Sequence, residues 1–354
     1  MDLGLVSRYR KELYGFCAIW IILFHMAHNA MVDFSFGISV LQPLQAFVSV
    51  GSLGVDIFLF LSGISLYYSF QKNQRADLFI IKRLTRILPP LALTYGVFWI
   101  ARFIGGDYSF AQLLWNFTLI SRMVSGLPGG DNGMWFVVFI IGMYLIFPYI
   151  YLFIYGVYIE ESSEKKSEGF IFMRMAALVV AALLFYWLVH KFDLKWFKIS
   201  EIGLARIPIF IVGCYAGHLV KENVRLPWPV WIPVFMITII FFVVVSPPGI
   251  RHWWWRLAYF PAGITVSYSL SFMIAAVSKL GSFGRRLQSV LGIFGGISLE
   301  VYLTHCILFT NKLGLPLIDG RLWLAIILAA FAVLWALAVG KATKAISKLI
   351  NKRI

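Results

Sequence analysis

The sequence predicts an all-α integral membrane protein, a bundle of about ten transmembrane helices with both termini cytoplasmic. Three observations predict it. Hydrophobic residues fill 60% of the 354 positions and charged residues only 13%, with a mean hydropathy of +0.83, whereas a soluble chain carries about a quarter charged residues. The apolar residues gather into runs of about 20, the length that crosses a bilayer as a helix. The basic residues are unevenly shared between alternate connectors, as the positive-inside rule requires. The 29 glycines and 17% aromatics are spread along the chain, without the tandem repeat or low-complexity tract of a fibrous protein.

The spans are placed in order at Leu13–Met31, Leu44–Phe70, Ile87–Ile104, Met134–Tyr155, Phe170–Val189, Ile202–Val220, Val230–Val245, Leu257–Val277, Val290–Phe309 and Leu322–Val339. The first follows Arg8, Arg10, Lys11 and Glu12 and runs a full membrane width, which marks a signal anchor rather than a cleaved leader. Turn-forming residues separate the later spans: Gly105-Gly106, Pro128-Gly129-Gly130, Pro227 with Pro229, Pro247-Pro248-Gly249, and Gly314 with Pro316. No connector is long enough for a second domain, so residues 1–354 are expected to form one membrane-embedded unit.

The side that holds both termini carries 21 of the 31 Lys and Arg. That makes it the cytoplasmic side, and it accounts for most of the net charge of +15. No loop carries a basic run suited to a phosphate backbone, so no nucleic-acid partner is expected. Lys341, Lys344, Lys348, Lys352 and Arg353 instead suit contact with anionic membrane lipid. The three cysteines, Cys17, Cys214 and Cys306, lie in apolar runs without ligand spacing. Neither a disulfide framework nor a metal site is expected.

Ionisable groups at bilayer depth are costly, so each one inside a span is a candidate for chemistry. His25 lies twelve residues beyond Leu13, about 18 Å along the helix and past the bilayer midpoint. Asp56 sits in Gly54-Val-Asp-Ile-Phe-Leu-Phe-Leu-Ser62-Gly63, where the small residues permit close helix contact. A buried carboxylate satisfied by an arginine or a backbone donor also explains Asp56. Arg83 and Arg86 share a helical face at the mouth of the third span, a fork for phosphate oxygens or a pair of topology anchors. In the ninth span, Ser298-Leu-Glu300-Val-Tyr302-Leu-Thr-His305 places several polar groups in eight residues. Gly213 with Gly217 and Gly292 with Gly296 read as helix contacts.

These segments resemble the acyltransferase 3 family, bacterial multi-spanning enzymes that O-acylate cell-surface carbohydrates. The likeness rests on Glu12-Leu-Tyr-Gly-Phe-Cys-Ala-Ile with His25, the Gly54–Gly63 stretch, Lys82-Arg83-Leu-Thr-Arg86-Ile-Leu-Pro89, Met134-Trp135-Phe136, and Ser298–His305. The family pattern puts a basic residue eleven positions before the essential histidine, where this chain has Tyr14. Lys11, about 40° off the face of His25 and one turn nearer the cytoplasm than Tyr14, is the geometric substitute.

The resemblance implies an acyl-CoA co-substrate, usually acetyl-CoA, with no permanently bound cofactor. It implies His25 as base or acyl carrier, with Asp56 or Glu300 fixing its tautomer and His305 as a second relay. Arg83, Arg86, Lys82 and Lys11 would meet the donor phosphates, and Trp135, Tyr302 and Ser62 the acceptor. The acceptor would be a surface glycan, such as an exopolysaccharide, or its lipid-linked precursor at the bacterial cell membrane. The hydrolase-like extracytoplasmic domain of some relatives is not expected here. The module would act alone, as a homo-oligomer, or with a separate extracytoplasmic transferase. A glycan or lipid transporter and a non-catalytic sensor on the same fold are the competing readings.

Overall fold

A computed structural model describes residues 3–29, 32–119, 134–156, 167–194, 201–225, 227–240, 253–309 and 320–351. Among them the regular structure is helical, with no strand. In chain order the helices are α1 (Gly4–Arg8), α2 (Arg10–His28), α3 (Gln42–Ser49), α4 (Leu53–Gln71), α5 (Ala76–Leu91), α6 (Val97–Ile104), α7 (Phe110–Thr118), α8 (Trp135–Tyr155), α9 (Glu168–Lys191), α10 (Glu201–Leu204), α11 (Ile207–Lys221), α12 (Trp228–Ile240), α13 (Tyr259–Val277), α14 (Gly281–Gly296), α15 (Ser298–Phe309) and α16 (Leu322–Asn351).

Seven helices among the described residues are long and apolar enough to cross a membrane, or eight if a bent pair counts as one. The protein is therefore multi-pass, with fewer such helices than the ten expected spans. The differences have local causes. Helix α2 opens with Arg10, Lys11 and Glu12 and ends with His25 and His28, which shortens its apolar stretch. The expected seventh span is described only as α12, since 241–252 lie outside the described residues, as do Pro128-Gly129-Gly130, Gly314 and Pro316. The expected ninth span is two helices: α14 and α15 meet at a 72° bend where Ile297 leaves helical geometry at φ −125° and ψ 22°.

Helix α5 shows how sequence sets a contact. Pro89 and Pro90 lie inside it and have no N–H, so the carbonyls four residues earlier lose their helical donors. Ser347 of α16 donates its hydroxyl to one of these, Thr85 O, at 3.3 Å. The chain then passes through a π-helical turn at Ala92–Gly96. The C-terminal helix is thus fastened beside Arg83 and Arg86.

Glycines let the central helices touch. A Cβ on Gly63 would lie 2.5 Å from the carbonyl oxygen of Phe210 and 2.6 Å from the amide nitrogen of Cys214, so α4 and α11 cross backbone to backbone. Gly217 extends that crossing, as expected, with its Cβ position 2.9 Å from Cβ of Tyr67. Helices α2 and α14 cross through Gly15 and Gly295, where an added Cβ would strike Leu291 O and Lys11 O respectively. Gly292 and Gly296 are not the crossing pair. They leave room for the Lys11 side chain, whose Nζ lies 3.9 Å from the Cβ position of Gly292.

Candidate active site

The α2–α14 crossing brings the end of α2 against α15. His25 Nδ1 lies 2.8 Å from His305 Nε2, and His305 Nδ1 lies 2.7 Å from Val301 O. The second bond orders the first. A carbonyl only accepts, so His305 Nδ1 carries the hydrogen. In a neutral ring His305 Nε2 is then an acceptor, and His25 Nδ1–H donates to it. His25 Nε2 is left with an uncommitted lone pair, the form a general base requires. The rings stack with centroids 5.0 Å apart. His305 is buried and His25 half-buried, so the basic nitrogen belongs to the more accessible ring.

The position expected for Asp56 or Glu300 is therefore held by His305. Asp56 bonds instead to Arg206, Oδ2 to Nε at 3.1 Å, with side chains 1% and 8% exposed. Arg206 also donates to Ile202 O at 2.7 Å and lies 5.5 Å from the Trp135 ring and 5.9 Å from Tyr259. Trp135, expected at the acceptor, thus packs on the Asp56 ion pair. Glu300 is buried, its carboxyl carbon 4.0 Å from the Cβ position of Gly340 on α16, and Arg86 and Lys344 act on it electrostatically.

A cavity of about 470 Å³ opens beside the histidine pair. Its cations are Arg8, Arg10, Lys11, Arg83 and Arg86, and among the described residues no carboxylate lines it. Apolar Ile21, Val55, Phe58, Phe136 and Ile140 line it beside the hydroxyls of Tyr14, Ser62, Ser65, Ser298 and Tyr144, and Lys11 and Ile21 stand about 15 Å apart along α2 at helical rise. Tyr14 and Ser62 face each other across it, hydroxyls 3.4 Å apart. Arg83 lies 5.2 Å over the Phe79 ring, and its buried Nε has no hydrogen-bond partner among the described residues. Burial of an unsatisfied guanidinium N–H is costly, so this atom is poised for an anionic oxygen.

Tyr302 joins cavity and histidines. It lines the cavity, packs on Phe136 at 5.1 Å, and meets the His305 ring edge-on at 5.7 Å. Of the residues singled out from sequence, Lys11, Ser62, Arg83, Arg86 and Tyr302 line the cavity, while His25 and His305 lie behind Tyr302. Lys82 is exposed and is not part of the lining. Arg8, Arg10, Phe136 and Tyr144 line it without having been singled out. Arg8 and Arg10 read as topology anchors because nothing local tells an anchor from a ligand. A second polar cluster was also missed: buried His218 bonds Tyr67 at 3.3 Å and Glu168 at 3.1 Å, which satisfies both ring nitrogens.

One group of metal-type ligands occurs among the described residues: His25, His305 and Cys306, with donor atoms within 4.8 Å of one another. Two nitrogens on a tetrahedral ion would stand about 3.3 Å apart. The 2.8 Å separation of His25 and His305 is that of a shared proton.

No curated protein and no solved structure matches the chain. The acyltransferase domain that defines the acyltransferase 3 family matches residues 14–341, which takes in His25, the cavity arginines Arg83 and Arg86 and the α14–α15 bend. A multi-pass bundle with a tautomer-fixed histidine beside a cationic cavity is the setting in which that match falls, and the chain belongs to the acyltransferase 3 family.

Proposed function

We propose that this membrane acyltransferase moves an acyl group, most simply acetyl, from cytoplasmic acyl-CoA to a hydroxyl of a surface glycan or its lipid-linked precursor. The observation that carries the reading is the cavity itself. Five cations line it with, among the described residues, no carboxylate, and apolar side chains line it too; Tyr302 in its wall meets the His305 ring, so the reading takes the cavity as the passage toward the histidine pair. Coenzyme A is polyanionic at one end and carries its thioester on a thin, mostly uncharged arm. Its phosphates would sit among the arginines, where charge-assisted and bidentate bonds are strong. Its arm would follow the passage.

In the reaction, His25 Nε2 takes the proton of the acceptor hydroxyl as that oxygen attacks the thioester carbonyl. The tetrahedral intermediate collapses by breaking the C–S bond, and the imidazolium returns its proton to the departing thiolate. The products are the O-acyl ester and free coenzyme A. His305 holds the His25 tautomer and spreads the transient positive charge toward Val301 O. The excess of basic flanks supports a cytoplasmic cationic end, and the reading sets the protein in the cell membrane of a bacterium, so the acyl group would travel toward the outer face. Lys11, directed over Gly292 and Gly296, stands in for the basic residue that Tyr14 replaces.

Mass spectrometry of surface glycans from cells with and without the protein tests this reading. O-acyl groups present only with the protein support it. Identical acylation in both, with every glycan still exported, would reject it. Loss of export itself would indicate a transporter.

A further inference from the structure

Cys306 has no part in the acyl transfer described above, yet it completes a constellation around the histidine pair. Its Sγ lies 3.7 Å from His305 Nε2, and it is buried and outside any disulfide. Tetrahedral zinc with bonds of about 2.0–2.1 Å to nitrogen and 2.3 Å to sulfur sets ligand sulfur and nitrogen about 3.6 Å apart. The sulfur is therefore already at ligand spacing from His305 Nε2, and its separation from His25 Nδ1, within 4.8 Å, has to come to the same value. The His25–His305 separation of 2.8 Å needs to widen by only about half an ångström. His305 also has the outer-shell bond that metal-binding histidines favour, its far N–H donating to a backbone carbonyl, here Val301 O at 2.7 Å.

We propose that His25 Nδ1, His305 Nε2 and Cys306 Sγ form an inhibitory site for a borderline-soft divalent cation of the zinc class. Two imidazoles and a thiolate suit zinc or cobalt and disfavour magnesium or calcium. The proton balance is explicit. Cys306 gives up its thiol proton to solvent as the sulfur–metal bond forms. The proton shared between the histidines leaves His25 Nδ1, and His25 is reprotonated at Nε2. One proton is released in total, and a fourth position remains for water. The ion thus consumes the acceptor on His305 and also blocks the basic lone pair of His25. Half-buried His25, with exposed His28 one turn beyond it, gives the ion its approach.

The ion site stands on the three donor atoms; its inhibitory effect rests on the reading of His25 as the base. The test uses the full-length protein in detergent, titrated with Co2+ as a spectroscopic probe. The wild type should develop the visible bands of tetrahedral cobalt and a near-ultraviolet thiolate-to-cobalt band, both removed by added Zn2+. Cys306→Ala and Cys306→Ser should lose the thiolate band. A wild type without that band, or variants that keep it, would overturn the proposal. In a parallel acyl-transfer assay, Zn2+ should inhibit the wild type at concentrations at least tenfold lower than Cys306→Ala, whose metal-free rate should equal the wild type's. Equal sensitivity would overturn the inhibitory role. Absence of all transfer with the cobalt bands intact would instead count against the function proposed above.

Discussion

His25 and His305 are 280 positions apart in sequence and share one hydrogen bond of 2.8 Å. Because Val301 O claims the other nitrogen of His305, the direction of that bond is fixed, and with it the tautomer of His25. Replacing His305 by Leu should lower kcat about 100-fold with little change in donor KM. His305→Gln, which keeps an acceptor for His25, should recover part of the loss. Initial rates across donor concentrations check this. A KM effect without a kcat effect would assign His305 to binding instead.

The unpartnered Nε of Arg83 and the neighbouring Arg86 should hold donor phosphate. Arg83→Ala and Arg86→Ala should each raise the donor KM about tenfold, equivalent to about 1.4 kcal/mol, with kcat nearly unchanged. The Arg83→Ala effect should shrink at high salt, since screening weakens the wild-type contact. Lys82→Ala should leave both constants unchanged, since Lys82 is exposed and does not line the cavity. Steady-state kinetics with acetyl-CoA provide the measurement.

Asp56 and Arg206 form a buried pair, and loss of one partner leaves the other charged and unpaired. Such a loss costs about 3–5 kcal/mol, so Asp56→Leu and Arg206→Met should each lower the thermal midpoint in detergent. The double variant should regain much of the loss. Fluorescence-detected size exclusion after heating reads this out. An unchanged midpoint in Asp56→Leu with lost activity would return Asp56 to the chemistry.

The α4–α11 crossing predicts a sharp difference between glycines. Gly63→Ala would push a methyl against the backbone of Phe210 and Cys214, and overpacking of this kind costs about 1–3 kcal/mol or more. Gly142, in the middle of α8, has open space where its Cβ would lie. Gly142→Ala should be neutral or slightly stabilising by helix propensity. Thermal midpoints of the two variants decide.

The helical multi-pass bundle, the polar residues set within apolar helices and the grouping of Arg83 with Arg86 were legible in the sequence. Each is written locally, in hydropathy, cost of burial or helical spacing. What was not legible is long-range pairing. Nothing near Asp56 names Arg206 as its partner, and nothing near His25 names His305 above Glu300, since all three are polar groups of similar depth. The glycine pairs show the same division. Gly292 and Gly296 have the recognised spacing, but the helix crossing uses Gly295 against Gly15, because the Lys11 side chain occupies the neighbouring face. The break at Ile297 was hidden for a different reason. Gly295-Gly296 weakens helix without forbidding it, and on either side of the bend α14 packs on α2 and α15 on α16.

The central claim is that His25 is the base that lets an acceptor hydroxyl take the acyl group from acyl-CoA. Purified protein supplied with acyl-labelled acetyl-CoA and an acceptor glycan tests it most directly, with His25→Ala beside it. The account predicts labelled glycan and stoichiometric free coenzyme A from the wild type, and neither from His25→Ala, although the variant folds and binds donor as before. Transfer by His25→Ala at the wild-type rate would contradict it.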